Sequence, residues 1–235
     1  MKKKIISLLL IATLTIIPVS LFACDGRDDT YLILVNKQNH AGIDYVPESL
    51  VQLDSKYTNG GKFIQLESLT AKAVVDMLEA MRRDGITNVS VTSGYRTYEY
   101  QKQLFENYCA SESADHPTWS ESEVKDYVLT YSAYPGTSEH QTGLCVDFIT
   151  TEMSGLWNYG SETPSNPYDK GFAETAAYTW LQKHAHEYGF ILRFPENKES
   201  VTGYSYESWH YRYVGVKHAT EIHDQGLTLE EYLGQ

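Results

Sequence analysis

Pro135-Gly136-Thr137-Ser138-Glu139-His140-Gln141-Thr142-Gly143-Leu144-Cys145-Val146-Asp147 is a turn-forming run that passes into a β-rich one. Gly136 and Gly143 punctuate the turn, and Gly143 to Ile149 carries the branched and aromatic residues of a strand. A histidine in the turn and an aspartate seven residues on can fold a nitrogen and an oxygen donor onto one cation. A second stretch, Glu207-Ser208-Trp209-His210, supplies another imidazole with a carboxylate three residues before it, at the start of a strand read over Trp209 to Val214. Two histidines, one aspartate and a spare glutamate are the inventory of a zinc hydrolase. It needs three protein ligands, a position open to water and a carboxylate that takes the water's proton.

Around these stretches, helices and short strands follow one another without regular βαβ alternation, so the expected class is α+β rather than a doubly wound parallel sheet. Tyr31-Leu32-Ile33-Leu34-Val35 reads as a first strand. Glu67 to Arg83 places Val74, Met77, Leu78 and Met81 at helical spacing and stops before Gly85, a good C′ residue. Val89-Ser90-Val91-Thr92 alternates as a strand does and is broken by Ser93-Gly94. Helices are expected over Tyr98 to Tyr108, Glu121 to Leu129 and Ala173 to Tyr188, the last closed by Gly189, with a loop over Ser111 to Ser120. Thr228 and Glu231 have capping-box spacing for a short terminal helix. No repeat or linker divides residues 31–235, which read as a single domain with a small, mainly antiparallel sheet flanked by helices.

The chain has 235 residues, 42% of them hydrophobic, and a formal charge of −12. Its first 23 residues hold Lys2, Lys3 and Lys4 and no acid, so removing them takes the charge to −15. A polyanion needs a basic footprint, and this balance argues against nucleic acid as a partner. Lys2 to Lys4, the apolar run Ile5 to Ile17 and the small residue Ala23 read as a secretory signal over residues 1–23. The apolar run is too short for a good membrane span. Leu21-Phe22-Ala23-Cys24 resembles a bacterial lipobox, which implies that Cys24 is lipidated and that residues 24–30 tether the domain to the membrane surface. Cys109 and Cys145 remain; they either pair or stand as two small buried thiols.

The metal-ligand pattern resembles that of the zinc D-alanyl-D-alanine carboxypeptidases of the VanY type, in Ser138-x-His140 through Asp147 and in Glu207-x-x-His210. The likeness extends to Leu34-Val35-Asn36-Lys37, Tyr45-Val46-Pro47, Ser93-Gly94-Tyr95-Arg96-Thr97-Tyr98-Glu99-Tyr100-Gln101, Gly189-Phe190-Ile191-Leu192-Arg193-Phe194-Pro195 and Thr202-Gly203-Tyr204. It implies a Hedgehog/DD-peptidase-like fold and one zinc ion held by His140, Asp147 and His210. It makes Glu207 the general base, Arg96 the group that stabilises the oxyanion or holds the substrate carboxylate, and Ser138 and Gln101 substrate contacts. The expected substrate is a peptidoglycan stem peptide that loses its C-terminal D-alanine. An L,D-carboxypeptidase acting on tetrapeptide stems shares these residues, and a catalytically idle wall-binding lipoprotein would share the fold. The expected protein is a monomer outside the cytoplasm, held by its lipid anchor or secreted.

Cys145 departs from the pattern, standing where the family has a small, alanine-like residue and two residues before Asp147 on the same strand face. It reads as a small core residue, with a redox or metal-competing role as the alternative. His40, His116, His184, His186, His218 and His223 are assigned no site role, and Glu221/Asp224 and Glu230/Glu231 read as a solvated acidic face. A serine peptidase is disfavoured, because the chain lacks a Gly-x-Ser-x-Gly elbow.

Overall fold

The computed structural model describes residues 28–153 and 171–235. A two-stranded hairpin pairs β1 (Leu50–Gln52) with β2 (Gln65–Glu67), and α1 (Ser68–Arg83) follows. Glu67 caps α1, its carboxylate accepting from the Leu69 and Thr70 N–H groups. The chain then runs through β3 (Val89–Ser93), α2 (Tyr98–Asp115), α3 (Glu121–Val128) and β4 (Cys145–Thr150). Next come α4 (Ala176–His184), β5 (Phe190–Leu192), α5 (Glu199–Thr202), β6 (His210–Tyr213), α6 (Val216–Gln225) and α7 (Leu229–Leu233). The main sheet has the order β3-β4-β6-β5 and is antiparallel throughout. This is the expected α+β single domain.

The two faces of the sheet do different work. Val91, Val146, Phe148 and Tyr211 pack with the α1 stripe of Val74, Met77, Leu78 and Met81 and with Trp180 and Leu181 of α4. Each large apolar side chain buried there stabilises the fold by about 1.5–3 kcal/mol. On the opposite face the alternation of the strands presents Cys145, Asp147, His210 and Arg212. Asp147 lies directly across from His210 in the β4–β6 register, and Cys145 across from Arg212. Both candidate ligand stretches therefore meet on adjacent strands.

Several expected boundaries move for identifiable reasons. Tyr31 to Val35 forms no strand: Asp28–Leu32 is a 3₁₀ turn, and the Tyr31 and Ile33 carbonyls accept from Arg212 Nη2 at 2.9 and 2.6 Å. A guanidinium takes the acceptors that a neighbouring strand would have used. The helix expected to end at Tyr108 continues to Asp115, so the following loop begins at His116 instead of Ser111. Pro117 disfavours helical geometry at the residue before it, which stops the helix there. The helix expected from Ala173 starts at Ala176 after its Thr175 cap and finishes as a 3₁₀ turn, Ala185–Tyr188, against Gly189. Thr228 and Glu231 form the expected capping box. Cys109 and Cys145 are both free thiols. Residues 1–23 and Cys24 lie outside the described residues.

Candidate metal centre

The Ser93–Arg96 loop and the 3₁₀ turn Glu139–Thr142 are stitched together by backbone. Tyr95 N–H donates to the Gln65 carbonyl at 2.8 Å and Arg96 N–H to the His140 carbonyl at 3.1 Å. Gly94 is required where these pieces meet. A Cβ there would stand 2.7 Å from the Gln65 carbonyl oxygen and 2.9 Å from a Leu66 methyl carbon. The turn ends at Gly143, whose φ of 69° is left-handed and suits glycine. β4 then starts at Cys145, and the Glu207–His210 turn feeds β6, His210 N–H donating to the Glu207 carbonyl at 3.1 Å.

His140 Nδ1 lies 2.7 Å from the Gly94 carbonyl, and His210 Nε2 lies 3.0 Å from Glu139 Oε1. Both oxygens are acceptors, so in the neutral imidazoles the proton sits on these outer nitrogens and the lone pairs of His140 Nε2 and His210 Nδ1 face inward. The inward atoms converge on one carboxylate, at 3.2 Å from Asp147 Oδ2 and 2.8 Å from Asp147 Oδ1. The Cys145 sulfur belongs to the same cluster, within 4.8 Å of donor atoms on both rings. Glu207 Oε2 is 3.7 Å from His210 Nδ1. Two imidazole lone pairs, a carboxylate and outer nitrogens fixed by hydrogen bonds are the donor set that a zinc ion takes.

Arg96 stands at the open side. Its Nη2 donates to Asp147 Oδ2 at 3.1 Å and to Ser93 Oγ at 2.8 Å, and its Nη1 donates to Gln101 Oε1 at 3.3 Å. Arg96 and Glu207 are the most solvent-open of the group, at 23% and 17% side-chain exposure, against 6% and 3% for His140 and His210. Gln101 is buried, and its amide donates to the Ala133 carbonyl at 2.8 Å. Through its two ends Gln101 braces Arg96 against the Ala133 backbone. Ser138 is buried at the start of the 3₁₀ turn without capping it. The structure thus brings together His140, Asp147, His210, Glu207 and Arg96, with Gln101 behind Arg96 and Ser138 at the edge.

Behind His210 lies a buried ionic network that sequence reading did not find. Glu139 Oε2 accepts from Arg193 Nε at 2.9 Å and from Arg212 Nη1 at 3.1 Å. Arg193 in turn pairs bidentately with Glu230 at 2.6 and 2.8 Å, and Asn36 Nδ2 donates to Glu230 at 3.2 Å. Glu230 is therefore not part of a solvated acidic face: it is 3% exposed and answers the charge of a wholly buried Arg193. The available signal was positional, since Arg193 and Arg212 repeat on the strand face that carries the ligands, where an unpaired cation could not be buried.

The electrostatics follow from this packing. Burial alone would raise the Glu139 carboxyl, but Arg193, Arg212 and His210 hold it well below its ordinary value. Burial likewise opposes ionisation of Asp147, and the two imidazoles overcome it. Burial and Arg96 oppose a proton on His140, yet Cys145 and Asp147 outweigh them and lift it to about 9. At Glu207 the balance goes the other way, since burial and the Asp147 charge outweigh His210, His140 and Arg96. Burial pushes it up to about 7, into the range of a group that exchanges protons at neutral pH.

A family model described as VanY, D-alanyl-D-alanine carboxypeptidase, matches residues 63–216. A D-alanyl-D-alanine carboxypeptidase of Enterococcus faecalis is 38% identical over 202 residues, 86% of this chain and 65% of the relative. Curated relatives are thus matched over about two thirds of their own length. A zinc complex of a vancomycin-resistance D,D-pentapeptidase VanY variant superposes with a TM-score of 0.66 at 36% identity, covering 86% of this chain and 98% of that one. The LdcB LD-carboxypeptidase gives 0.70 at 35% identity, covering 89% of this chain and 88% of that one.

Proposed function

This chain belongs to the VanY family of D-alanyl-D-alanine carboxypeptidases, and from that membership we propose that it is a zinc-dependent carboxypeptidase removing the C-terminal D-alanine from peptidoglycan stem peptides. The observation that carries the reading is the convergence of His140 Nε2 and His210 Nδ1 on the two oxygens of Asp147, with Glu207 3.7 Å from His210. His140, Asp147 and His210 would hold the ion. A zinc ion there supplies Lewis-acid chemistry, polarising the scissile carbonyl and making water acidic near neutral pH.

The protein's own groups do the rest. Glu207, beside His210, accepts the proton of the attacking water and returns it to the departing D-alanine amine. Arg96 offers a planar, permanently charged fork beside Asp147, suited to the substrate carboxylate or the developing oxyanion. Ser93 and Gln101 fix that fork before substrate arrives. Glu139 keeps the His210 ring from rotating, so its inward nitrogen stays on target.

A second reading, an L,D-carboxypeptidase acting on tetrapeptide stems, rests on the likeness to the LdcB LD-carboxypeptidase at 35% identity. The catalytic groups are common to both readings. Mass spectrometry of synthetic penta- and tetrapeptide stems, with and without chelator, separates them. Loss of one alanine from the pentapeptide alone selects the D,D activity, and loss from the tetrapeptide alone refutes it. An idle wall-binding role has no use for a general base, and the presence of Glu207 weighs against it.

The signal-like residues 1–23 and the lipobox-like Leu21–Cys24 support an enzyme secreted and then anchored through lipidated Cys24, working outside the membrane. No helix among the described residues is long and apolar enough to cross a membrane. Metabolic palmitate labelling that disappears in Cys24→Ala is the expected outcome, and an unlabelled wild-type chain refutes the anchor.

A further inference from the structure

Cys145 is fully buried at the start of β4, on the strand face that carries Asp147. It sits across from Arg212, one pair along the ladder face from the Asp147–His210 pair. Its sulfur and the ring nitrogens of His140 and His210 lie within 4.8 Å of one another, and both imidazoles interact with the sulfur. It forms no disulfide. A wholly buried thiol aimed into a nest of inward lone pairs has a ligand's placement, beyond what packing requires.

We propose that the Cys145 sulfur is a fourth protein donor to the metal centre, making it a His₂AspCys set that favours thiophilic ions such as zinc and cadmium over hard ones such as manganese. This rests on the metallohydrolase reading and adds to it the identity of the ions the site prefers. On binding, a sulfur–metal bond forms, the S–H bond breaks and its proton passes to the solvent buffer, with no change of oxidation state. Soft thiolate selects d¹⁰ ions, whereas carboxylate and water suit manganese. With four protein donors the attacking water takes a fifth position, a coordination number that some catalytic zinc sites reach during turnover.

The probe is cobalt(II), titrated into the full chain carrying Cys24→Ala and Cys109→Ala, where Cys145 is the one remaining thiol of three. The expected result is one cobalt per chain, with visible ligand-field bands and a sulfur-to-cobalt charge-transfer band in the near ultraviolet. Adding Cys145→Ala should abolish the charge-transfer band while the visible bands persist, and should weaken cadmium by about tenfold or more with manganese nearly unaffected. One bound cobalt that is lost with His210→Ala but shows no charge-transfer band overturns the sulfur donor and leaves the hydrolase reading standing. A chain that binds no divalent ion overturns both.

Discussion

Glu139→Gln is the most informative single change, because Glu139 joins the ligand His210 to the buried network. Its carboxylate is 3% exposed and accepts from His210 Nε2, Arg193 Nε and Arg212 Nη1. Glutamine preserves the volume but presents an N–H₂ toward groups that only donate, leaving the wholly buried Arg212 without its carboxylate and Arg193 with Glu230 alone. Removing one partner of a buried ion pair costs about 3–5 kcal/mol, a large share of the roughly 5–15 kcal/mol that holds a domain together. The loss of the hydrogen bond behind His210 should also weaken zinc by about 10–100-fold. Urea unfolding gives the first quantity, and competition against a chelator gives the second. Asp76→Asn, which breaks the exposed pair with Lys72, is the control and should cost less than about 1 kcal/mol. If Glu139→Gln unfolds within about 0.5 kcal/mol of wild type and binds zinc equally well, the network is not what holds His210, and the reasoning fails.

The same carboxylate sets a pH dependence. Its folded value lies below its ordinary 4.5, so its stabilising contribution is complete above that value and drains away as pH falls beneath it. Urea midpoints of wild type and Glu139→Gln should therefore converge as pH is lowered through the carboxylate range, and a constant gap contradicts the assignment. Glu207→Gln should retain zinc while kcat drops about 10²–10⁴-fold; near-native turnover would remove Glu207 as the base. Glu207 must be ionised to act, and bound zinc draws it below the value of about 7 that burial gives it, so kcat/KM should fall on an acid limb lying under pH 7. A flat profile from pH 5 to 8 counts against it. Gly94→Ala drives a Cβ to within 2.7 Å of a backbone oxygen and shifts the carbonyl that fixes His140, so it should destabilise by about 1–3 kcal/mol and weaken zinc, both absent if the loop is slack.

What the sequence made legible is what depends on local rules. The α1 stripe, the Gly85 and Gly189 stops, the Thr228/Glu231 box, the alternation of β3 and the β-rich run of β4 are written in short-range spacing. The meeting of His140, Asp147 and His210 was legible from the motif, and the register explains it, since Asp147 and His210 face each other across β4 and β6. The failures are nonlocal. Tyr31 to Val35 has strand composition, but its carbonyls are claimed by Arg212 from 179 and 181 residues away. Glu230 reads as surface charge until Arg193 is seen beneath it. The β1–β2 hairpin escaped because strands of three residues show too little alternation to count.

Calorimetric titration of zinc into the purified metal-free chain tests the centre itself. The arrangement of His140, Asp147 and His210 predicts a single site of one ion per chain. Protons should be released as the imidazoles surrender the charge that Asp147 and Cys145 favour in the empty cluster. Any one of His140→Ala, Asp147→Ala and His210→Ala should abolish the isotherm. Undiminished zinc binding in all three variants, with their folds intact, would contradict the account.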